Sequence, residues 1–217
     1  MSTSHDHRHE HGPRHRHPPQ PDVDDTLTYP RKLEIAVREL LIAKGIFNAD
    51  DVRATVEELD GRTPERGARV IARAWSDPGF KALLLSDATK ACESLGLDMD
   101  LFDVELMVVE NTPQVHNVIV CTLCSCYPRM LLGLPPSWYK SFAYRSRMVS
   151  EPRVVLKEFG LDIPEQVTVR VHDSTADLRY LVLPMRPDGT EDMSKAELAG
   201  LVTRDSMIGV SLPHRPE

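Results

Sequence analysis

Apolar residues recur at helical spacing from Arg31 to Lys44, where Leu33, Val37, Leu40 and Leu41 share a face and Gly45 supplies a stop. The same spacing predicts a second helix from Asn48 or Ala49 to Leu59, ending at Gly61, and a third from Pro64 to Trp75, before an Asp77-Pro78-Gly79 turn. Few large apolar side chains are spread over these three helices, too few for an independent core. They suit either an arm laid on another surface or a helical subdomain folded against its own chain. Phe80 to Leu95 reads as one further helix, burying Leu83, Leu84, Ala91 and Leu95 beside Cys92 and closing at Gly96.

From Val104 the period changes. Val104–Val109 and Val115–Val120 are short β-rich runs separated by Asn111-Thr112-Pro113. Pro135 and Pro136 open a short helix containing Trp138. Pro152 starts another, with Val154, Val155, Leu156 and Phe159 facing inward and Gly160 at its C-cap. Val167, Val169 and Val171 alternate with polar residues as a half-buried strand, and Leu178–Leu183 is expected to pair with it. Ser194 and Glu197 form a capping box for a helix from Lys195 to Leu201, and Met207–Leu212 closes the chain as a β-like segment. Helices and strands in this order predict an α+β fold.

Composition narrows what such a fold does. A net charge of −7 argues against general nucleic-acid binding. No apolar run approaches bilayer-spanning length, and the polar N-terminus lacks the apolar centre of a secretory signal, so a cytoplasmic location is expected. Residues 1–28 hold His5, His7, His9, His11, His15 and His17 among Arg, Asp, Glu and Pro. This composition predicts a disordered tail, whose imidazoles bind divalent metals with little selectivity.

The chemistry concentrates in Val120-Cys121-Thr122-Leu123-Cys124-Ser125-Cys126-Tyr127-Pro128, which holds three of the four cysteines directly after a predicted strand. Soft thiolates in this density select transition metals over magnesium or calcium. Structural zinc wants a fourth ligand; no second cysteine pair exists, but His116 stands five residues upstream and would complete a Cys3His set. A disulfide is the other reading, disfavoured in a reducing cytosol. Cys92, alone in an apolar helical run, reads as a core residue.

Val120 to Pro128, followed by Leu132-Gly133-Leu134-Pro135-Pro136-Ser137-Trp138-Tyr139-Lys140, resembles the metal-binding segment of nitrile hydratase alpha subunits. Val108-Val109-Glu110-Asn111-Thr112-Pro113, Tyr144-Arg145-Ser146-Arg147, Glu151-Pro152-Arg153 and Leu201–Val210 extend the likeness from about Tyr29 to about Leu212, and Thr122 and Tyr127 match the cobalt form rather than the iron form. The resemblance implies a non-corrin, low-spin Co(III) held by the sulfurs of Cys121, Cys124 and Cys126 and the amide nitrogens of Ser125 and Cys126. It further implies a Cys124 sulfinate and a Cys126 sulfenate, with the Cys126 oxygen as nucleophile or base and the Ser125 hydroxyl orienting it. It implies a beta-type partner of one or two chains, whose arginines clamp the sulfur oxygens, and an activator protein for metal insertion. Arg145 and Arg147 are then structural or interface residues. The chain divides accordingly into a His-rich tail (1–28), a helical arm packing on the partner (29–79) and a layered α-β-β-α metal-binding domain (80–217).

Two positions depart from the family. Arg129 stands where nitrile hydratases usually have Trp, and Phe102 where they usually have Gln. With Tyr127 these would line the substrate pocket and suit a bulky heteroaromatic nitrile, such as a nucleoside nitrile. Arg129 alternatively resembles the thiocyanate hydrolase gamma subunit, whose substrate is an anion. A third possibility is a non-enzymatic metal carrier, which would exchange its metal readily where low-spin cobalt(III) would not.

Overall fold

A computed structural model describes residues 28–99, 104–124 and 126–216. The His-rich tail, Phe102 and Ser125 lie outside the described residues. The chain divides into two compact units between Val52 and Arg53.

In the first unit, helix α1 (Tyr29–Ala43) has Pro30 in its first turn and buries none of its residues. Helix α2 (Ala49–Asp60) runs across the division and likewise buries none. Asn48 starts it by accepting the Asp50 and Asp51 amides at 2.8 and 2.9 Å, while Asp51 accepts the Asn48 amide in return.

The second unit carries α3 (Pro64–Ser76), α4 (Pro78–Ser86), α5 (Ala88–Glu93), β1 (Glu105–Glu110), β2 (Val115–Val120), α6 (Arg129–Leu132), α7 (Ser137–Lys140), α8 (Phe142–Ser150), α9 (Pro152–Glu158), β3 (Thr168–Asp173), β4 (Leu178–Leu183), α10 (Lys195–Leu201) and α11 (Arg204–Ile208). Pro at the first turn sets the starts of α3, α4 and α9, where its missing N–H costs nothing. Of the three helices that the sequence groups as an arm, α3 supplies fully buried Val70 and Ile71 to the core of this unit.

The strands form two parallel pairs, β1 with β4 and β2 with β3. Helices α4 and α5 cover β1, β2 lies against β4 between the pairs, and α8 and α9 cover β2 and β3. The fold is therefore α+β with the expected α-β-β-α layering. Burial on both faces makes β2 nearly all apolar at its end, with Val118, Ile119 and Val120 inaccessible to solvent. Ile71, Leu84, Ile119, Leu131, Met148, Leu156 and Leu181 centre the core, each contributing about 1.5–3 kcal/mol by burial.

Several expectations need correcting. Leu178–Leu183 does not pair with the preceding strand: the four-residue link 174–177 carries the chain across to β1 in the other pair. The single helix from Phe80 to Leu95 is two helices, because Asp87 leaves helical geometry to cap α5 through the Lys90 amide at 3.0 Å. Within the first of them Phe80 and Leu84 are buried, and Leu83 is exposed rather than buried. Met207–Leu212 is not β-like; it begins within α11, whose Thr203–Ser206 capping box starts the helix and whose left-handed Gly209 ends it. Val154 and Phe159 are exposed, although Phe159 stacks edge-on against Trp138 at 4.8 Å. Among the described residues no helix is long and apolar enough to cross a membrane.

Candidate metal centre

The cysteine segment leaves the buried end of β2, and its backbone is held by side chains from the crossover that follows. Tyr144 donates its hydroxyl to Ile119 O at 2.7 Å, Arg145 Nη1 donates to Thr122 O at 3.2 Å, and Tyr139 donates to Cys126 O at 2.9 Å. The Ser174 amide donates to Val120 O at 2.8 Å. Tyr139 and Tyr144 are themselves locked in an aromatic cluster with Tyr127 and Trp138. Downstream, α6 anchors the segment through buried Met130, Leu131 and Leu132.

So held, the segment brings its three thiols together. Cys121 Sγ and Cys124 Sγ are 3.4 Å apart, Cys124 Sγ and Cys126 Sγ 3.2 Å, and all three sulfurs lie within 4.8 Å of one another. These separations exclude a disulfide, whose sulfurs approach to about 2.0 Å. Sulfurs bound about 2.3 Å from one ion stand ~3.3 Å apart at right-angled positions and ~3.8 Å apart at tetrahedral ones. The 3.4 and 3.2 Å edges fit the right-angled case, and the soft donor set suits a transition ion. Cys121 is buried, Cys126 half-buried and Cys124 exposed. Burial first, and the hydrogen bond with Cys124 second, push the Cys126 thiol up to about 12, against the nearby Arg179 guanidinium.

His116 is not part of this cluster. Its Nε2 donates to Gly209 O at 2.7 Å and its Nδ1 faces the Asn111 side-chain amide at 3.3 Å, so both nitrogens are engaged elsewhere. The Cys3His zinc reading falls with that. Cys92 is a core residue, its thiol raised to about 12 by burial.

Beside the sulfurs lies a cavity of about 200 Å³ lined by Val104, Cys124, Cys126, Tyr127, Arg129, Met130 and Arg179. It thus gathers Tyr127 and Arg129 with two of the cysteines. The Tyr127 hydroxyl is buried without a hydrogen-bond partner among the described residues, and burial raises it above the usual phenol range. Arg145 lies under the segment rather than in the cavity, and Arg147 is engaged by Glu158 and Glu151.

Two site residues escape sequence reasoning. Arg179 reaches the cavity from the start of β4, where the charged residue follows Leu178 in an otherwise apolar strand. Asp173 is brought to the segment by the β2–β3 register, which sets it opposite Val120. Its Oδ1 accepts the Thr122 amide at 2.9 Å and its Oδ2 the Thr122 hydroxyl at 2.6 Å. Nothing near Asp173 in the chain signals this partnership 51 residues away.

The chain matches the family described as nitrile hydratase, alpha chain, over residues 28–211. It is 50% identical over 182 residues to the low-molecular weight cobalt-containing nitrile hydratase subunit alpha of Rhodococcus rhodochrous, covering 83% of this chain and 87% of that one. The thiocyanate hydrolase subunit gamma of Thiobacillus thioparus is 43% identical over 205 residues, covering 90% of this chain and 84% of the relative. A double mutant of the Fe-type nitrile hydratase from Comamonas testosteroni Ni1 has the same fold, with a TM-score of 0.78 at 46% identity over 86% of this chain and 91% of that one. With matches of this extent, the chain belongs to the nitrile hydratase alpha-chain family, a family of enzyme subunits rather than metal carriers.

Proposed function

We propose that this chain is the metal-binding subunit that hydrates a nitrile to its amide, at a cobalt(III) centre held by Cys121, Cys124 and Cys126 with the amide nitrogens of Ser125 and Cys126. The observation that carries this reading is the pair of sulfur separations, 3.4 and 3.2 Å, in a segment whose carbonyls are already taken from behind. Cobalt is favoured over iron by the cobalt-containing relatives and by Thr122 and Tyr127 in the segment. When bound, such an ion supplies Lewis acidity.

The residues of the chain divide the remaining work. Cys124 is carried as sulfinate and Cys126 as sulfenate, and the exposed position of Cys124 gives an oxidant access. The Cys126 oxygen acts as base: it takes a proton from water while the water oxygen bonds to the nitrile carbon, and Ser125 would orient the Cys126 oxygen by a hydrogen bond. The same proton then passes from the Cys126 oxygen to the nitrile nitrogen, which regenerates the base, and the imidic acid tautomerises to the amide. Tyr127 and Arg129 line the cavity that would receive the rest of the substrate, a bulky heteroaromatic nitrile, and the family resemblance assigns Phe102 to the same pocket. Negative charge on the oxidised sulfurs calls for cations. Those come from a beta-type partner of one or two chains, on which the helical arm packs, so the chain alone is inactive. An activator protein loads the metal in the cytoplasm.

Thiocyanate hydrolysis is the second reading, favoured by Arg129 in the cavity and by the 43% identity to the gamma subunit. The test is to purify the chain with its co-expressed partner, determine metal and intact mass, and assay an aromatic nitrile against thiocyanate. One cobalt per chain, three added oxygens and nitrile turnover are expected. Brisk thiocyanate loss without nitrile turnover reverses the two readings. Replacing Cys121, Cys124 and Cys126 together by Ala should abolish both metal and turnover; activity that survives this change sinks both.

A further inference from the structure

Thr122 is gripped at three atoms. Asp173 accepts from its amide at 2.9 Å and its hydroxyl at 2.6 Å, and Arg145 Nη1 donates to its carbonyl at 3.2 Å. Thr122 follows Cys121 directly and sits two residues before Cys124, so its backbone decides how the second sulfur returns toward the first. Leu123, next along, is 87% exposed and has no packing to hold it. Between Cys121 and Cys124 the turn is held by the Thr122 grip and by the Cys124 amide, which donates to Cys121 Sγ at 3.3 Å.

We propose that Asp173 is a positioning residue of the metal centre, fixing the Cys121–Cys124 turn in its ligand-ready shape through the amide and hydroxyl of Thr122. The parallel register makes this possible: Asp173 ends β3 opposite Val120, so its carboxylate arrives at the first residues beyond β2. Charge-assisted hydrogen bonds from a carboxylate are shorter and stronger than neutral ones, and a bidentate grip fixes direction as well as distance. Asp173 touches neither sulfur nor substrate in this arrangement. Its effect passes through Thr122. An apposition of sulfurs that exists before the ion arrives spares the ion the ordering of the turn, so the grip belongs to metal capture as well as to turnover.

The assignment rests on reading the three thiols as the metal centre, and the experiment separates the two. Asp173→Ala, Asp173→Asn, Thr122→Val and the Thr122→Val/Asp173→Ala double variant are purified as the full complex. Metal per chain, the sulfur-to-metal absorption band, kcat and KM are compared with the parent. Asp173→Ala is expected to lower metal content or kcat by about tenfold or more and to shift the absorption band, with KM within about twofold. Asp173→Asn, which keeps one accepting oxygen, should fall between Ala and the parent. The double variant should be little worse than Asp173→Ala alone, because both changes remove the same contact. A lower melting temperature with unchanged band, metal content and kcat makes Asp173 merely structural and overturns the proposal. If the parent complex holds no transition metal, the metal-centre reading itself has failed. Exchange of the Thr122 amide hydrogen in the full-length chain then decides the grip: faster exchange in Asp173→Ala sustains it, and unchanged exchange ends it.

Discussion

The side-chain amide of Asn111 has two ends that cannot be exchanged. Its oxygen accepts the Asn117 backbone amide at 2.7 Å and the Asn117 Nδ2 at 3.0 Å, so its nitrogen must donate, and it faces His116 Nδ1. Gly209 O can only accept, which puts the His116 proton on Nε2 and leaves Nδ1 to accept. Asn117 Oδ1 in turn accepts from His172 Nε2 at 2.8 Å. This buried chain therefore works with His116 neutral, and protonating His116 would set two donors face to face. Burial holds both histidines below the usual imidazole range; at His116 the Gly209 bond opposes it, and at His172 the Arg170 charge adds to it. With folded values below unfolded ones, the unfolded chain binds protons first as pH falls, so stability is complete above about pH 6.5 and is lost below it. Urea midpoints should decline between about pH 7.5 and 5.5, above the range where carboxylates titrate, and His116→Gln should flatten that decline from a lower start. A midpoint indifferent to pH across that window would refute the account. The residue scale is also where sequence reading was strongest and weakest. Three cysteines within six consecutive residues announce themselves, whereas His116 could be taken for a fourth ligand because only the fold brings Gly209 to it from 93 residues away.

At the scale of elements, local signals were legible where the chain satisfies its own backbone. The Ser194 capping box and the prolines that open α3 and α9 are legible in the sequence because donor, acceptor and turn lie within a few residues. The pairing of β3 and β4 was not, since a four-residue link serves a hairpin and a crossing between pairs equally well, and only packing decides. The helical start of the Met207–Leu212 segment is hidden for a related reason: Met207, Ile208 and Val210 are all fully buried, which erases the period that distinguishes helix from strand. Gly209 carries what sequence could not weigh. It ends α11 at φ 92°, and a Cβ there would stand 2.1 Å from Asn117 O and 2.8 Å from Val118 Cα, both backbone of β2. Gly45 has a similar φ of 68° but open space around it. Gly209→Ala should therefore cost about 3 kcal/mol or more, by strain and by displacing the strand that leads to Cys121, whereas Gly45→Ala should cost about 1 kcal/mol. Equal shifts in the urea midpoints of the two variants would show that close approach to β2 is not what Gly209 serves.

At the scale of the whole molecule, the apolar surface of α1 is the feature left without a use inside the helix itself. Leu33, Val37 and Leu40 follow the i, i+4, i+7 spacing of one stripe and are 51%, 45% and 53% exposed, with Tyr29 at the helix start 77% exposed. A 15-residue helix is marginal on its own in water, and a stripe of this kind normally stabilises it by being covered. The beta-type partner proposed above would supply that cover, and each of these side chains would contribute about 1.5–3 kcal/mol if fully buried there. Leu33→Glu, Val37→Glu and Leu40→Glu combined should weaken the complex at least about tenfold, read as dissociation on dilution in sedimentation or size-exclusion measurements. The isolated chain should keep its urea midpoint, because the stripe buries nothing in α1 and the core of the second unit is untouched. The two readouts separate the alternatives that the sequence left open. Loss of partner binding at constant chain stability is the signature of an arm. Loss of chain stability with partner affinity unchanged would mean that the stripe serves this chain's own fold, and the partner would then have to be sought on another surface.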